Sequence, residues 1–152
     1  MVTFRRATSS DANLFFEWAN DPDVRQNSYN QDLIAWEDHI QWFEKRVDHE
    51  DFVFLVFYNG HNELIGQVRF QKEGETWIIG ISIDREQRGK GYSIPMLNLA
   101  TSYLRNIDAR SPIIAFVKVS NRASYQAFLK AGFRLERQVL YKNKYESFKL
   151  IK

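Results

Sequence analysis

One segment combines residue types that bind anions at a spacing suited to the task. Arg88-Gly89-Lys90-Gly91-Tyr92-Ser93 follows an apolar run, Ile81-Ser82-Ile83, and precedes a helical pattern. Glycines let the backbone turn tightly and come close to a ligand. The first N–H groups of a helix have no intrahelical partner, and with the helix dipole they attract negative charge. Arg88 and Lys90 add charge of their own. An ordinary strand-to-helix turn would use the same two glycines. Two better-known phosphate loops do not fit. A Walker loop fails because Lys90 is followed by Gly91 rather than Ser or Thr, and no glycine stands five residues before Gly89. A dinucleotide fingerprint fails because its third glycine is missing and the strands before it form a meander.

The elements that must hold this loop follow from periodicity and turn chemistry. Val2 to Thr8 reads as an opening strand, and Thr8-Ser9-Ser10-Asp11 supplies capping residues for a helix with Leu14, Phe15, Trp18 and Ala19 inward. Asn20-Asp21-Pro22 ends it. A second helix carries Trp36, Ile40, Phe43 and Val47 on one face. Phe52 to Tyr58, Leu64 to Phe70 and Trp77 to Ile83 read as an antiparallel meander, turned at Asn59-Gly60 and Glu73-Gly74. After the glycine loop a helix runs to about Asn106, with Pro95 in its first turn. Ile113 to Val119 is a buried strand. Asn121 caps a helix to Ala131, stopped by Gly132, and two strands, Phe133 to Tyr141 and Tyr145 to Ile151, finish the chain. The expected fold is α+β, a three-layer α/β/α arrangement. Its sheet is mixed and mostly antiparallel, of about seven strands, with four helices, in one domain over residues 1–152.

Composition narrows the function. The chain has 152 residues, 44% hydrophobic, which suits one domain with a real core. It has no cysteine, which removes disulfides, thiol nucleophiles and Cys-ligated metals. Its three histidines (39, 49, 61) lack metal spacing, so no metal is expected. No apolar run reaches the roughly 20 residues of a membrane span. No secretory h-region follows Met1, so a cytoplasmic address is the default expectation. The net charge of +2 hides a division: residues 1–84 hold 7 Lys/Arg against 15 Asp/Glu, and residues 85–152 hold 14 against 4. Salt bridges between the halves would account for it, as would a second half that faces an anion. A nucleic-acid partner is not expected, because the basic residues form no stripe interleaved with aromatics.

Arg88-Gly89-Lys90-Gly91-Tyr92-Ser93 resembles the acyl-CoA pyrophosphate loop of the GNAT superfamily of N-acetyltransferases, Gln/Arg-x-x-Gly-x-Gly/Ala. Asn121-Arg122-Ala123-Ser124 followed by Leu129-Lys130-Ala131-Gly132-Phe133 resembles a second block of that family. The element order agrees, so the resemblance covers nearly the whole chain. It implies acetyl-CoA as cofactor, cradled by backbone N–H groups of Gln87, Arg88, Gly89, Lys90, Gly91, Tyr92 and Ser93. The pantetheine arm would lie along Ile81, Ser82 and Ile83, with Asn121, Ser124, Phe128 and Lys130 nearby. Two departures stand out. Ser93 replaces a Gly/Ala, and Phe128 stands where many members carry a Tyr proposed to protonate the leaving thiolate.

Without cysteine, direct attack by a primary amine in a ternary complex is the expected route. His39, Glu75 and Glu146 are the candidate bases. The first half resembles the branch that acetylates amino groups of nucleotide-linked sugars of the pseudaminic and legionaminic acid type. Trp42 or Phe43 would stack a base or sugar face, Arg25 or Arg69 would hold a diphosphate, and Asn27, Ser28 and Gln67 would read hydroxyls. Trp18, Trp36 and Phe43 at helical spacing read better as core. The Trp18-Ala19-Asn20-Asp21-Pro22 stretch is shared with N-terminal acetyltransferases of ribosomal proteins. A non-catalytic acyl-CoA-binding or nucleic-acid-binding module is the alternative of another class. The expected partner is a small-molecule amine, and the expected state is monomer or homodimer.

Overall fold

The computed structural model describes residues 1–152. Phe52–Tyr58 (β2) explains the layering, because both of its faces are buried. Val53, Leu55 and Phe57 point into one apolar cluster, while Phe54 and Val56 point into another. A continuous apolar run is what a strand covered on both sides requires.

Seven strands form one sheet: Thr3–Arg6 (β1), β2, Leu64–Glu73 (β3), Thr76–Ile83 (β4), Ile113–Lys118 (β5), Arg134–Tyr141 (β6) and Tyr145–Ile151 (β7). Their order is β1-β2-β3-β4-β5-β7-β6, so the last strand inserts between β5 and β6. Every pair is antiparallel except β4–β5. The larger cluster, 20 buried residues, packs Ser93–Ile107 (α4) and Arg122–Lys130 (α5) onto one face. The smaller, 8 residues, packs Ala12–Ala19 (α1) and Trp36–Arg46 (α3) onto the other, over β2. Each fully buried Phe, Leu or Ile in these clusters stabilises the fold by about 1.5–3 kcal/mol. The second layer stops short of β4 and β5, and the site lies in the uncovered part.

The expected α+β class and mixed sheet are observed, with one correction. There are five helices rather than four, because Pro22–Asn27 (α2) forms a short helix of its own. Pro22 ends α1 and also occupies the first position of α2, where its missing N–H costs nothing. Asp21 caps α2 by accepting from the N–H groups of Asp23 and Val24. At the start of the chain, Arg5 grips the buried Asp11 carboxylate with two 2.8 Å hydrogen bonds, and the Thr8 N–H adds a third. The Arg5 hydrogen bonds outweigh burial and hold Asp11 below the ordinary carboxylate value.

Candidate functional site

The parallel pair β4–β5 is in register only at Trp77↔Ile113 and Ile78↔Ile114. Beyond that the strands separate. The Trp77 backbone N–H donates to the Pro112 carbonyl at 2.9 Å, and strand alternation sends the N–H and C=O of Ile81 toward the same side. There they face the gap with no strand opposite. β3 presses against β4 from the other side. A Cβ at Gly66 would lie 2.2 Å from the Ser82 carbonyl oxygen, so only glycine fits.

The gap ends at the glycine loop. Gly89 and Gly91 have φ of +75° and +80°, and a Cβ on either would meet nothing within 4 Å. They are glycines for backbone conformation, and they leave the approach to the loop open. α4 starts immediately afterwards with no side-chain cap, so its first N–H groups are available to an anion. An open split strand edge, an open glycine turn and an uncapped helix N-terminus fit a ligand with an extended amide arm and a pyrophosphate. Gln87 is buried, and its Oε1 accepts from Lys90 Nζ at 3.2 Å, which steadies the loop.

Arg88 departs from expectation. Its guanidinium donates to the Ile83 carbonyl, to Asp23 at 2.8 Å and to Asp21 at 2.9 Å. Its charge is spent on α2 and does not face outward. Burial pushes the Asp21 pKa up, but the Arg88 hydrogen bond and charge and the α2 N–H groups together hold it below the ordinary value. Nearby, Trp18 Nε1 donates to Asp84 Oδ2 at 2.9 Å. The loop and the α1–α2 corner are therefore braced together. Asn121 is likewise engaged, its oxygen capping α5 at the Ser124 N–H, although both residues line the gap. Phe128 also lines it, buried edge-on against Phe133 at 5.0 Å. Tyr125 stacks on Phe148 at 4.0 Å and is not among the lining residues. Lys130 sits exposed at the far end of α5, outside the cleft.

On the α1–α3 face the gap opens into a cleft of about 1010 Å³. Gln67 and Arg69 of β3 form its floor beside Gly80 and Ser82 of β4, His39 and Trp42 of α3 form one wall, and Phe116 of β5 lies opposite. Residues 28–35 cross as a strap. Tyr29 reaches Ser147 Oγ at 2.6 Å and packs against Tyr141 with ring centroids 4.4 Å apart. Asn20 clamps the strap's other end, exchanging hydrogen bonds with both backbone groups of Ile34. The sequence carried no signal for this strap. A polar stretch such as Ser28-Tyr29-Asn30-Gln31-Asp32 resembles any loop.

Of the acceptor-side candidates, Arg25, Asn27, Ser28, Trp42, Gln67 and Arg69 all line the cleft, whereas Phe43 is fully buried in the smaller core cluster and cannot stack on a ligand. Arg25 serves as a staple there. It donates to the carbonyls of Ala19, Asn30 and Asp32 and to Ser28 Oγ. Asn27 and Ser28 donate to backbone carbonyls of α2. Gln67 donates to Ser82 Oγ at 2.7 Å, and its own amide oxygen is buried without a partner.

The three candidate bases separate clearly. Glu75 is exposed at the β3–β4 turn, at the opposite end of β4 from the gap. Glu146 is exposed on β7 and does not line the cleft. His39 lines it and is 3% exposed. Its Nε2 lies 2.9 Å from the Ala12 carbonyl, which only accepts, so Nε2 carries the proton and Nδ1 holds the lone pair. Nδ1 is not among the buried atoms lacking a partner. Burial, opposed by the Ala12 hydrogen bond, pushes the His39 pKa below its ordinary 6.5, with the Arg69 charge adding to the fall.

The sequence model of the Acetyltransferase (GNAT) domain matches residues 1–134. An uncharacterized protein of Methanocaldococcus jannaschii is 25% identical over 136 residues, 88% of this chain. The match spans only 28% of that longer protein. Among solved structures, spermidine N-acetyltransferase from Vibrio cholerae, in complex with CoA and spermine, superposes with a TM-score of 0.86. It is 18% identical, with 99% of this chain and 93% of that one covered. Aminoglycoside acetyltransferase AAC(6')-Ib, in complex with coenzyme A, gives 0.84 at 17% identity, with 100% and 94% covered. At these identities the likeness is one of fold.

Proposed function

The chain belongs to the GNAT acetyltransferase family, and from that premise we propose that it transfers the acetyl group of acetyl-CoA to the primary amine of a nucleotide-linked amino sugar. The observation that carries the donor half is the β4–β5 gap running into the Gly89–Gly91 turn and the uncapped N-terminus of α4. Acetyl-CoA, when bound, supplies an acetyl thioester.

The chain's own groups do the rest. N–H groups of Gln87 to Ser93 hold pyrophosphate, and the open edge at Ile81 pairs with the extended arm. His39 Nδ1, neutral at physiological pH, takes the proton that the amine must lose. Phe128 offers no proton, so that position would not protonate the thiolate that leaves, and the proton would come from another group or from solvent. An acyl-cysteine intermediate is excluded, because the chain has no cysteine, and this favours direct attack by the amine.

For the acceptor, charge supports the nucleotide-sugar reading. Arg88 and Asp23 answer each other, which leaves Arg25, Arg69, Lys118 and Lys142 lining the cleft against Asp38. A polyamine or aminoglycoside, with several positive charges, finds little there to neutralise it.

The test has two parts. Saturating acetyl-CoA should raise the melting temperature, by linkage. Acetyl transfer should then occur to a 4-amino-sugar nucleotide in preference to spermidine, an aminoglycoside or a short peptide. Turnover of peptides alone overturns the sugar reading, and a melting temperature that does not move overturns the donor reading.

A further inference from the structure

The floor of the cleft holds a cation that no carboxylate and no hydrogen-bond acceptor in the protein answers. Arg69 is half-buried and lines the cleft, yet it enters none of the ion pairs. Its guanidinium lies over the Trp42 ring, 5.7 Å from the centroid. The neighbouring arginines differ: Arg25 is consumed by three carbonyls and a hydroxyl, and Arg88 by Asp21, Asp23 and a carbonyl. Opposite Arg69 on β4 stands Gly80, where a Cβ would come within 3.4 Å of the guanidinium. The absence of a side chain there leaves the arginine room. Burial, and then the nearby Arg25 charge, push its pKa down. Arginine nevertheless keeps its proton. A desolvated positive charge facing a second one raises the free energy of the empty site.

We propose that Arg69, laid on Trp42, binds an oxyanion of the acceptor and so selects anionic amines over polycationic ones. The oxyanion is a phosphate or a carboxylate, the groups that match the planar fork of a guanidinium. Gln67 sharpens the description of the ligand. It stands two residues before Arg69 on the same face of β3, roughly 7 Å away along the strand. Its buried amide oxygen lacks a donor. The site therefore fits a ligand that presents an N–H or O–H donor about that distance from a negative group. Calling this ligand the acceptor rests on the acetyl-transfer reading. The affinity of the site for oxyanions does not.

Calorimetric titration of the full chain, saturated with CoA so that the glycine loop is filled, tests the proposal without any chemistry. The probes are uridine diphosphate, glutarate and spermidine. At least one of the two oxyanions should bind, at least tenfold more tightly than spermidine, and the stronger of the two identifies phosphate or carboxylate. Arg69→Gln should weaken that binding tenfold or more while leaving CoA affinity unchanged and the melting temperature no lower, since it removes a charge that is strained in the empty site. Arg69→Lys should restore part of it, and Arg69→Glu should admit spermidine. Equal oxyanion affinity in wild type and Arg69→Gln overturns the assignment, as does a wild type that binds neither oxyanion. An enzyme that acetylates no amine but shows the Arg69-dependent titration retains this site and loses only the acetyl-transfer reading. If CoA itself does not bind, comparison of the two proteins without it still isolates the contribution of Arg69.

Discussion

The two sides of the cleft are built from different materials. The donor side is mostly backbone: a split strand edge, two glycines with positive φ and an uncapped helix end. The polar side chains nearest it, those of Gln87, Arg88 and Asn121, are occupied in holding the protein together. The acceptor side is mostly side chain, with Arg69 and Gln67 rising from β3, His39 and Trp42 from α3, and Tyr29 from the strap. A surface made of backbone can serve any sequence that makes the same turn, so it suits a ligand common to a family. A surface made of side chains changes with single substitutions, which suits a ligand particular to one member.

That division can be broken or sharpened by substitution. The largest expected effect is at His39. His39→Gln should lower kcat about 100-fold or more, the usual contribution of a general base, with donor affinity unchanged. Steady-state rates at saturating donor, beside a donor titration, check this. If the loss falls on donor affinity instead, the two sides are not separate. The wild-type rate should also decline on the acid side of the ordinary histidine pKa, and His39→Gln should lack that limb. Stability follows the same sign. His39 is buried with its pKa lowered, so unfolding takes up a proton below about pH 6.5. The stability it contributes is complete above that value and lost as pH falls toward its folded pKa. Melting curves between pH 5 and 8 would show it, with the slope reduced in the variant.

Gly91→Val comes next. A β-branched residue in left-handed conformation is strained by roughly 1–2 kcal/mol, and it would crowd an approach that is now open. Donor affinity should fall more than tenfold, with acceptor KM unchanged and a melting loss no larger than the strain. Equal loss of fold and binding would make the glycine merely structural.

These two sites also show what the sequence could convey. Backbone sites require glycine at fixed spacings before a helix, so Gly89, Gly91 and the Asn121 cap stood out in one dimension. Side-chain sites converge from distant segments. Arg25 and Arg69 are alike as residue types, and only the fold reveals that one is stapled to carbonyls while the other is free. Glu75 and Glu146 failed for the same reason, since a carboxylate's position relative to a cleft is not written in its neighbours. The helix α2 was missed because Pro22 ends one helix and begins another, and a terminator is the commoner reading.

Smaller effects test the edges of the comparison. Tyr29→Phe removes the strap's hydrogen bond to Ser147, worth about 1 kcal/mol. It should raise acceptor KM a few-fold and leave donor affinity alone. Arg88→Gln should be the mildest toward ligand. Its charge is already answered, so donor affinity should change less than about threefold. The fold should lose roughly 1 kcal/mol for a partly exposed ion pair. A large loss of donor affinity would return Arg88 to the pyrophosphate and blur the contrast.

The brace of Arg88 on Asp21 and Asp23, with Trp18 on Asp84, has a consequence in time. It joins parts of the chain separated by 65, 66 and 67 residues. So long a loop closes at an acceptable entropic cost only once β2, β3 and β4 have zipped together and shortened it. The brace therefore forms after the meander, and the α1–α2 corner settles against the glycine loop late in folding. By the same logic it is among the long-range contacts that let go early when the native state breathes. The two halves of the cleft meet at a joint that forms late, so amide exchange in α2 should outpace exchange in β2 and β3.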